Sequence, residues 1–164
     1  MERKHTISAL VENEFGVLAR VANLFSSKGY NIDSLSVSET IDPTLSRMTI
    51  VTHGSDQIIE QIIKQLNKLI NILRVEDLTR EKHITREMCL IKVKVVDKAE
   101  VLKVAEKLKA KVLESGPKAV ILVLTGDEEH LNRAFALFQP HGLLEVVRTG
   151  MIAIQRGENV LVGN

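Results

Sequence analysis

Cysteine occurs once, at Cys89, in a chain of 164 residues. No internal disulfide can close, no cysteine-based metal site can form, and a reducing, cytoplasmic setting is the simplest inference. Tryptophan is absent and aromatics make up 3% of the residues, so the core must be built from Ile, Leu, Val and Ala. No apolar run approaches the roughly 18 residues that a membrane span needs. Met1-Glu2-Arg3-Lys4-His5 leads into a strand-like run without a signal-peptide core. Charge of one sign is also missing: Lys+Arg number 22 and Asp+Glu 21, which points to neither nucleic acid nor an anionic membrane as partner. The five histidines have no metal-ligand spacing and read as surface or capping groups. What is present, 45% hydrophobic and 26% charged residues, is the composition of a globular chain long enough for one ordinary domain or two small ones.

The chemistry-bearing stretch lies near the start. Thr6-Ile7-Ser8-Ala9-Leu10-Val11 is a β-branched, apolar run that reads as a strand. Val17, Leu18, Val21, Leu24 and Phe25 then fall at helical spacing. Between them, Asn13-Glu14-Phe15-Gly16 forms a strand-to-helix turn with a glycine ahead of the helix. Such a turn exposes unpaired backbone N–H groups and the positive end of a helix dipole, which suits a small carboxylate or phosphate. Gly16 lets a ligand approach the backbone, and Asn13 adds a donor and an acceptor beside it.

In order, the pattern predicts strands at about 4–12, 31–39, 46–53 and 71–78, with helices at about 17–28 and 56–69. Gly29 ends the first helix, and Gly54-Ser55-Asp56 caps the second. This βαββαβ order is the ferredoxin-like split arrangement, an antiparallel sheet with both helices on one face. The other face is expected to be bare and to need a partner. After the polar linker 79–84 the order returns over 85–156, an internal repeat of fold rather than of sequence, and 157–164 reads as a loose tail. The class is therefore α+β, with two ferredoxin-like domains, 1–78 and 85–156. The second half has no counterpart of the Asn13–Leu18 turn. Cys89, in an apolar strand, reads as an inert core thiol. Asp97-Lys98 and Asp127-Glu128-Glu129 read as helix-dipole charges.

Three longer motifs narrow this further: Asn13-Glu14-Phe15-Gly16-Val17-Leu18-Ala19-Arg20-Val21, Gly29-Tyr30-Asn31-Ile32-Asp33-Ser34-Leu35, and Asp42-Pro43-Thr44-Leu45-Ser46-Arg47-Met48-Thr49-Ile50. Together with Arg86-Glu87-Met88-Cys89-Leu90-Ile91-Lys92-Val93, they resemble the regulatory (small) subunit of acetolactate synthase. The resemblance spans nearly the whole chain and is most specific over about 10–50. It implies an N-terminal ACT domain that pairs with a second copy into one eight-stranded antiparallel sheet. A branched-chain amino acid such as valine is then expected at the interface of the homodimer. It further implies that the chain has no catalytic activity of its own. The chain would activate a large catalytic subunit, which carries thiamine diphosphate, a flavin (FAD) and magnesium, and would confer feedback inhibition by valine. No cofactor is expected on this chain. By position, Asn13 and Gly16 match the family's ligand turn, and Asn31 and Ile32 the partner's side of the site.

Elementary chemistry agrees with that placement. The ligand carboxylate suits the N–H groups of Phe15, Gly16, Val17 and Leu18. Its ammonium needs oxygens, for which Asn13 and the second copy's Asn31 are candidates. Its isopropyl group needs a small apolar wall, for which Ile32, Val17 and Leu18 are candidates; Ile32 fits a core position equally well. Arg47 reads as a surface or dimer-contact residue. Two other function classes fare worse. An RNA-binding sheet needs aromatic and basic residues on its central strands, and these strands carry Ile, Val, Ser and Thr. An enzyme needs a nucleophile–base pair, paired carboxylates or a phosphate loop, and none stands at a workable spacing. A stand-alone ACT sensor acting on a different enzyme or a transcription factor is the remaining alternative.

Overall fold

Ile7, Ala9 and Val11 alternate along β1 (Arg3–Glu12) and turn one face of the strand into the core. In the computed structural model, which describes residues 2–162, that face is met by two helices. Val17, Val21 and Phe25 form the buried stripe of α1 (Val17–Ser27), and Ile59, Ile62 and Leu66 that of α2 (Asp56–Leu66). Both stripes follow the three-to-four-residue step of an amphipathic helix. β2 (Ser34–Glu39), β3 (Leu45–Gly54) and β4 (Ile72–Asp77) complete a four-stranded antiparallel sheet in the order β2-β3-β1-β4. The register sets Ile7 opposite Ile50 and Ala9 opposite Met48, so the apolar residues of neighbouring strands share the helix-facing side.

A second unit, Thr85–Gly150, repeats the plan. β5 (His83–Lys94) enters it and is followed by α3 (Lys98–Lys107), β6 (Lys111–Ser115), β7 (Ala119–Gly126), α4 (Glu128–Phe138) and β8 (Leu143–Arg148), with sheet order β6-β7-β5-β8. Its core contains Cys89, Ile91 and Val93 of β5, Val120 and Leu122 of β7, and Leu131, Ala134 and Phe138 of α4. Burial, then the nearby Glu87 charge, pushes the Cys89 thiol up, with Arg148 opposing, so it stays an unreactive core group. Both halves are thus ferredoxin-like βαββαβ units, as the order of elements predicts.

The ends of elements differ from expectation where side chains compete for the backbone. β2 begins at Ser34 rather than 31. The Asn31 carbonyl accepts from Thr52 Oγ1 at 2.6 Å, and Asn31 Nδ2 donates to Asp33 Oδ1 at 3.0 Å, which favours a turn over a ladder. α2 stops at Leu66 because Lys68 and Leu69 donate their N–H groups three residues back, tightening the last turn.

A larger difference concerns the face of the first sheet turned away from its helices. It was expected to be bare. Instead it is rich in hydroxyls, and Ser8, Leu10, Thr49 and Val51 are buried. By their contacts, residues 151–162 group with this first unit. The Met151 N–H donates to Ser34 Oγ at 3.0 Å and the Ala153 N–H to Thr49 Oγ1 at 3.4 Å. β9 (Ile152–Gln155) thus starts where serine and threonine side chains offer acceptors to an extended backbone. Met151 and Ala153 are buried, whereas Ile152 and Ile154 are exposed. Residues 157–162 carry no regular element; 163 and 164, the end of the expected tail, lie outside the described residues.

Charges gather at the N-terminus of α2. Arg3 Nε donates to Asp56 Oδ1 at 2.8 Å, and Arg80 Nη2 lies 3.4 Å from Asp56 Oδ2. The buried His5 places Nδ1 3.0 Å from Asp77 Oδ2, and its Nε2 lies 3.3 Å from Asp56 Oδ1, within ion-pair range but off hydrogen-bond geometry. The Arg3 hydrogen bond holds the Asp56 carboxyl below its ordinary 3.8 against an opposing desolvation effect, with the charges of Arg3, Arg80 and His5 adding to the lowering. A carboxylate lowered in this way stabilises the fold above its unfolded value, and the contribution fades as pH falls through the folded value. Asp56→Asn is therefore expected to lower stability at neutral pH and to match the parent in strong acid. Urea midpoints measured from about pH 7 to about pH 2 check this, and a gap that persists unchanged at the acid end counts against it.

Candidate functional site

The strand-to-helix turn at the end of β1 is held from one side by the β2–β3 hairpin. The Asn13 N–H donates to the Thr44 carbonyl at 2.7 Å, and Asn13 Nδ2 to the Pro43 carbonyl at 2.9 Å. With the amide donor engaged, the Asn13 side-chain oxygen keeps acceptor capacity. Gly16 then takes φ +81° and ψ −5°, a left-handed conformation, at the cap position of α1. That backbone costs an L-residue free energy and costs glycine none. The space where a Cβ would sit holds no atom within 4 Å.

α1 begins without a side-chain cap and without an acidic residue in its first turn. Ser55 makes no side-chain cap on α2 either, contrary to expectation, but Asp56 stands in its first turn; in the second unit Asp97 accepts from the Ala99 and Glu100 N–H groups, and Asp127 from that of His130. Among the described residues the N–H groups of Phe15, Gly16, Leu18 and Ala19 meet no acceptor. Unpaired donors, open approach over Gly16 and the positive end of a helix dipole are the features that suit a small anion such as a carboxylate.

The seven residues singled out from sequence do not all converge within one chain. Asn13, Phe15, Gly16, Val17 and Leu18 are contiguous. Asn31 and Ile32 follow the far end of α1, about 16 Å along the axis of an 11-residue helix. Individual roles also sharpen. Phe15 is 104% exposed, so it brings its N–H, not its ring, to the seat. Val17 is 3% exposed and packs in the core, and its N–H is directed to the Glu14 carbonyl at 3.4 Å. It cannot serve as a pocket wall, because the first inward position of the helix stripe falls on it. Leu18, one step round the helix, is 42% exposed and can. Ile32 is half-buried against the core. Asn31, with its amide donated to Asp33, keeps its side-chain oxygen available. Asp33 also pairs with His53 Nδ1 at 2.6 Å, which stiffens that loop. Arg47 reaches across the outer sheet face to Ser8 Oγ at 2.6 Å. Its half-burial pushes its pKa down, against the Glu76 charge.

One group near the turn escaped the sequence reading. Asn71, just before β4, donates from Nδ2 to Glu12 Oε2 at 2.6 Å and to Glu14 Oε2 at 3.3 Å, and accepts from Arg20 Nη1. An asparagine at a helix-to-strand joint reads as an ordinary turn residue, and no sequence spacing ties it to a turn nearly sixty residues away.

Comparison with known proteins matches both halves. Residues 7–74 fit the family described as an AHAS small subunit-like ACT domain, and residues 86–157 the family described as the small subunit of acetolactate synthase. The acetolactate synthase small subunit of Aquifex aeolicus is 46% identical over 157 residues, covering 94% of this chain and 82% of that protein. A probable acetolactate synthase small subunit of Archaeoglobus fulgidus is 44% identical over 155 residues, covering 94% and 98%. The crystal structure of the acetolactate synthase small subunit from Thermotoga maritima superimposes with a TM-score of 0.88 at 36% identity, covering 96% of this chain and 99% of that one.

Proposed function

The chain belongs to the family of acetolactate synthase small subunits, and from that membership we propose that it senses valine, or a closely related branched-chain amino acid, on behalf of a catalytic large subunit. The small subunit is the regulatory member of an enzyme of branched-chain amino acid synthesis. In this reading it raises the large subunit's turnover and makes that turnover sensitive to the end product. The thiamine diphosphate, flavin and magnesium chemistry belongs to the large subunit.

The uncapped start of α1 behind Gly16 is the observation that carries the reading. An amino acid presents a carboxylate, an ammonium and a side chain. The carboxylate takes the N–H groups of Phe15, Gly16, Leu18 and Ala19. The ammonium takes the side-chain oxygen of Asn13 and that of Asn31 from a second copy. Leu18 and the second copy's Ile32 close on the aliphatic group. Because Asn31 and Gly16 flank opposite ends of α1, the site is complete only when two N-terminal units pair into one eight-stranded sheet. A ligand that bridges two subunits changes how they sit against each other, and a bound partner can read that change.

Mixing the full chain with a purified large subunit tests the proposal. Acetolactate formation is expected to rise on mixing and to become inhibitable by valine. A large subunit whose rate and valine response are the same with and without the chain overturns it.

A further inference from the structure

The ligand turn is anchored on two sides, and the second anchor has no counterpart in the sequence motifs. On one side Asn13 is tied to the β2–β3 hairpin. On the other, a single side chain from the α2–β4 joint gathers three residues that bracket the turn. Asn71 Nδ2 spends its two hydrogens on Glu12, before the turn, and Glu14, inside it. Its oxygen accepts from Arg20, in the first turn of α1. The Asn71 carbonyl also receives the Glu12 N–H at 2.9 Å. The residue is 7% exposed, so the Asn71 end of each bond is buried, while Glu14 and Arg20 reach it from exposed positions. A carboxamide suits this place because it donates to carboxylates and accepts from a guanidinium at once. Both kinds of bond are charge-assisted and therefore strong.

We infer that Asn71 is the positioning residue of the amino-acid site: it holds the Asn13–Gly16 turn so that the N–H groups at the start of α1 converge on one carboxylate. The inference rests on the sensing reading above. None of the three residues Asn71 grips is in the apolar core of the unit. Its loss loosens the turn before it loosens the fold. A turn that must be ordered by the ligand binds more weakly than one ordered in advance.

The test is calorimetric titration of the full chain with valine, beside thermal unfolding. Asn71→Ala is expected to weaken valine binding about tenfold or more, with the melting temperature lowered by a few degrees and the transition still cooperative. Asn71→Asp is expected to be worse, since a carboxylate there faces Glu12 and Glu14. Adding Glu12→Gln to Asn71→Asp is expected to recover most of the affinity, because the new amide at position 12 donates to the new carboxylate at position 71. A role in stability alone would leave valine affinity unchanged in every folded variant measured well below its melting transition. Should Asn71→Ala fail to fold, Arg20→Met, at an exposed position, carries the test with an expected loss of several-fold. Parent-like affinity in Asn71→Ala or Arg20→Met, or no recovery in the double variant, overturns the inference and leaves the sensing site standing. Absence of valine binding by the parent chain overturns both.

Discussion

Gly16→Asp is expected to abolish valine binding while the chain stays folded. The substituted Cβ enters open space, with no atom within 4 Å, so no clash arises. The left-handed backbone at φ +81° costs an L-residue about 1–2 kcal/mol, and aspartate is among the residues that bear it best. Part of that cost returns, because a carboxylate is favoured beside the unpaired N–H groups at the positive end of the helix dipole. Those are the groups that the ligand carboxylate needs. The variant therefore fills its own site and repels any anion that approaches, and affinity is expected to fall by more than about a hundredfold. Gly16→Ala separates the two effects: it carries the backbone strain without the charge and is expected to lose several-fold at most. Titration calorimetry with valine, beside size-exclusion chromatography, reads both. Undiminished affinity in the aspartate variant removes the carboxylate seat from the start of α1.

The second large effect lies in the other unit. Glu87 is 4% exposed and is held by Arg148 through two bonds, Nε to Oε1 at 2.9 Å and Nη2 to Oε2 at 2.5 Å, while the Gly150 N–H reaches Oε1 at 3.2 Å. Arg148 also lies over the Phe135 ring, 5.7 Å from its centroid. Arg148→Ala is expected to cost the second unit about 3–5 kcal/mol, because it leaves a buried carboxylate without its counter-charge. Glu87→Gln is expected to cost less, about 1–2 kcal/mol, since an amide oxygen still accepts and the partly exposed guanidinium recovers water. Denaturant unfolding followed on the second unit measures both. Equal losses would mean that burial of Glu87 is not what makes the pair costly to break.

Much of this could be read from the chain alone. The period of two in Ile7-Ser8-Ala9-Leu10-Val11 and the three-to-four step of Val17, Val21 and Phe25 are local properties, and the structure places these elements where the pattern predicts them. Gly16 was legible for the same reason: a glycine between a strand and a helix has few reasons to be there other than a positive φ or a close approach. Val17 shows where local reading stops. Its spacing marks it as apolar and next to the turn, but whether it lines the seat or the core depends on how α1 is rotated over the sheet. Burial of Val17 in one core cluster with Val21, Phe25 and Ile50 settles that rotation.

The sequence by itself determined the βαββαβ order of both halves, the strand-to-helix turn at Gly16 and the family, because each rests on residues close together in the chain. Only the tertiary structure decided that Met151 and Ala153 return to the serine and threonine face of the first sheet, and that Asn71 braces Glu12, Glu14 and Arg20. Those contacts join residues from about fifty to more than a hundred positions apart. Hydrogen bonds of that span leave no periodicity in a sequence; they exist only once the sheet has brought their partners within three ångströms or so.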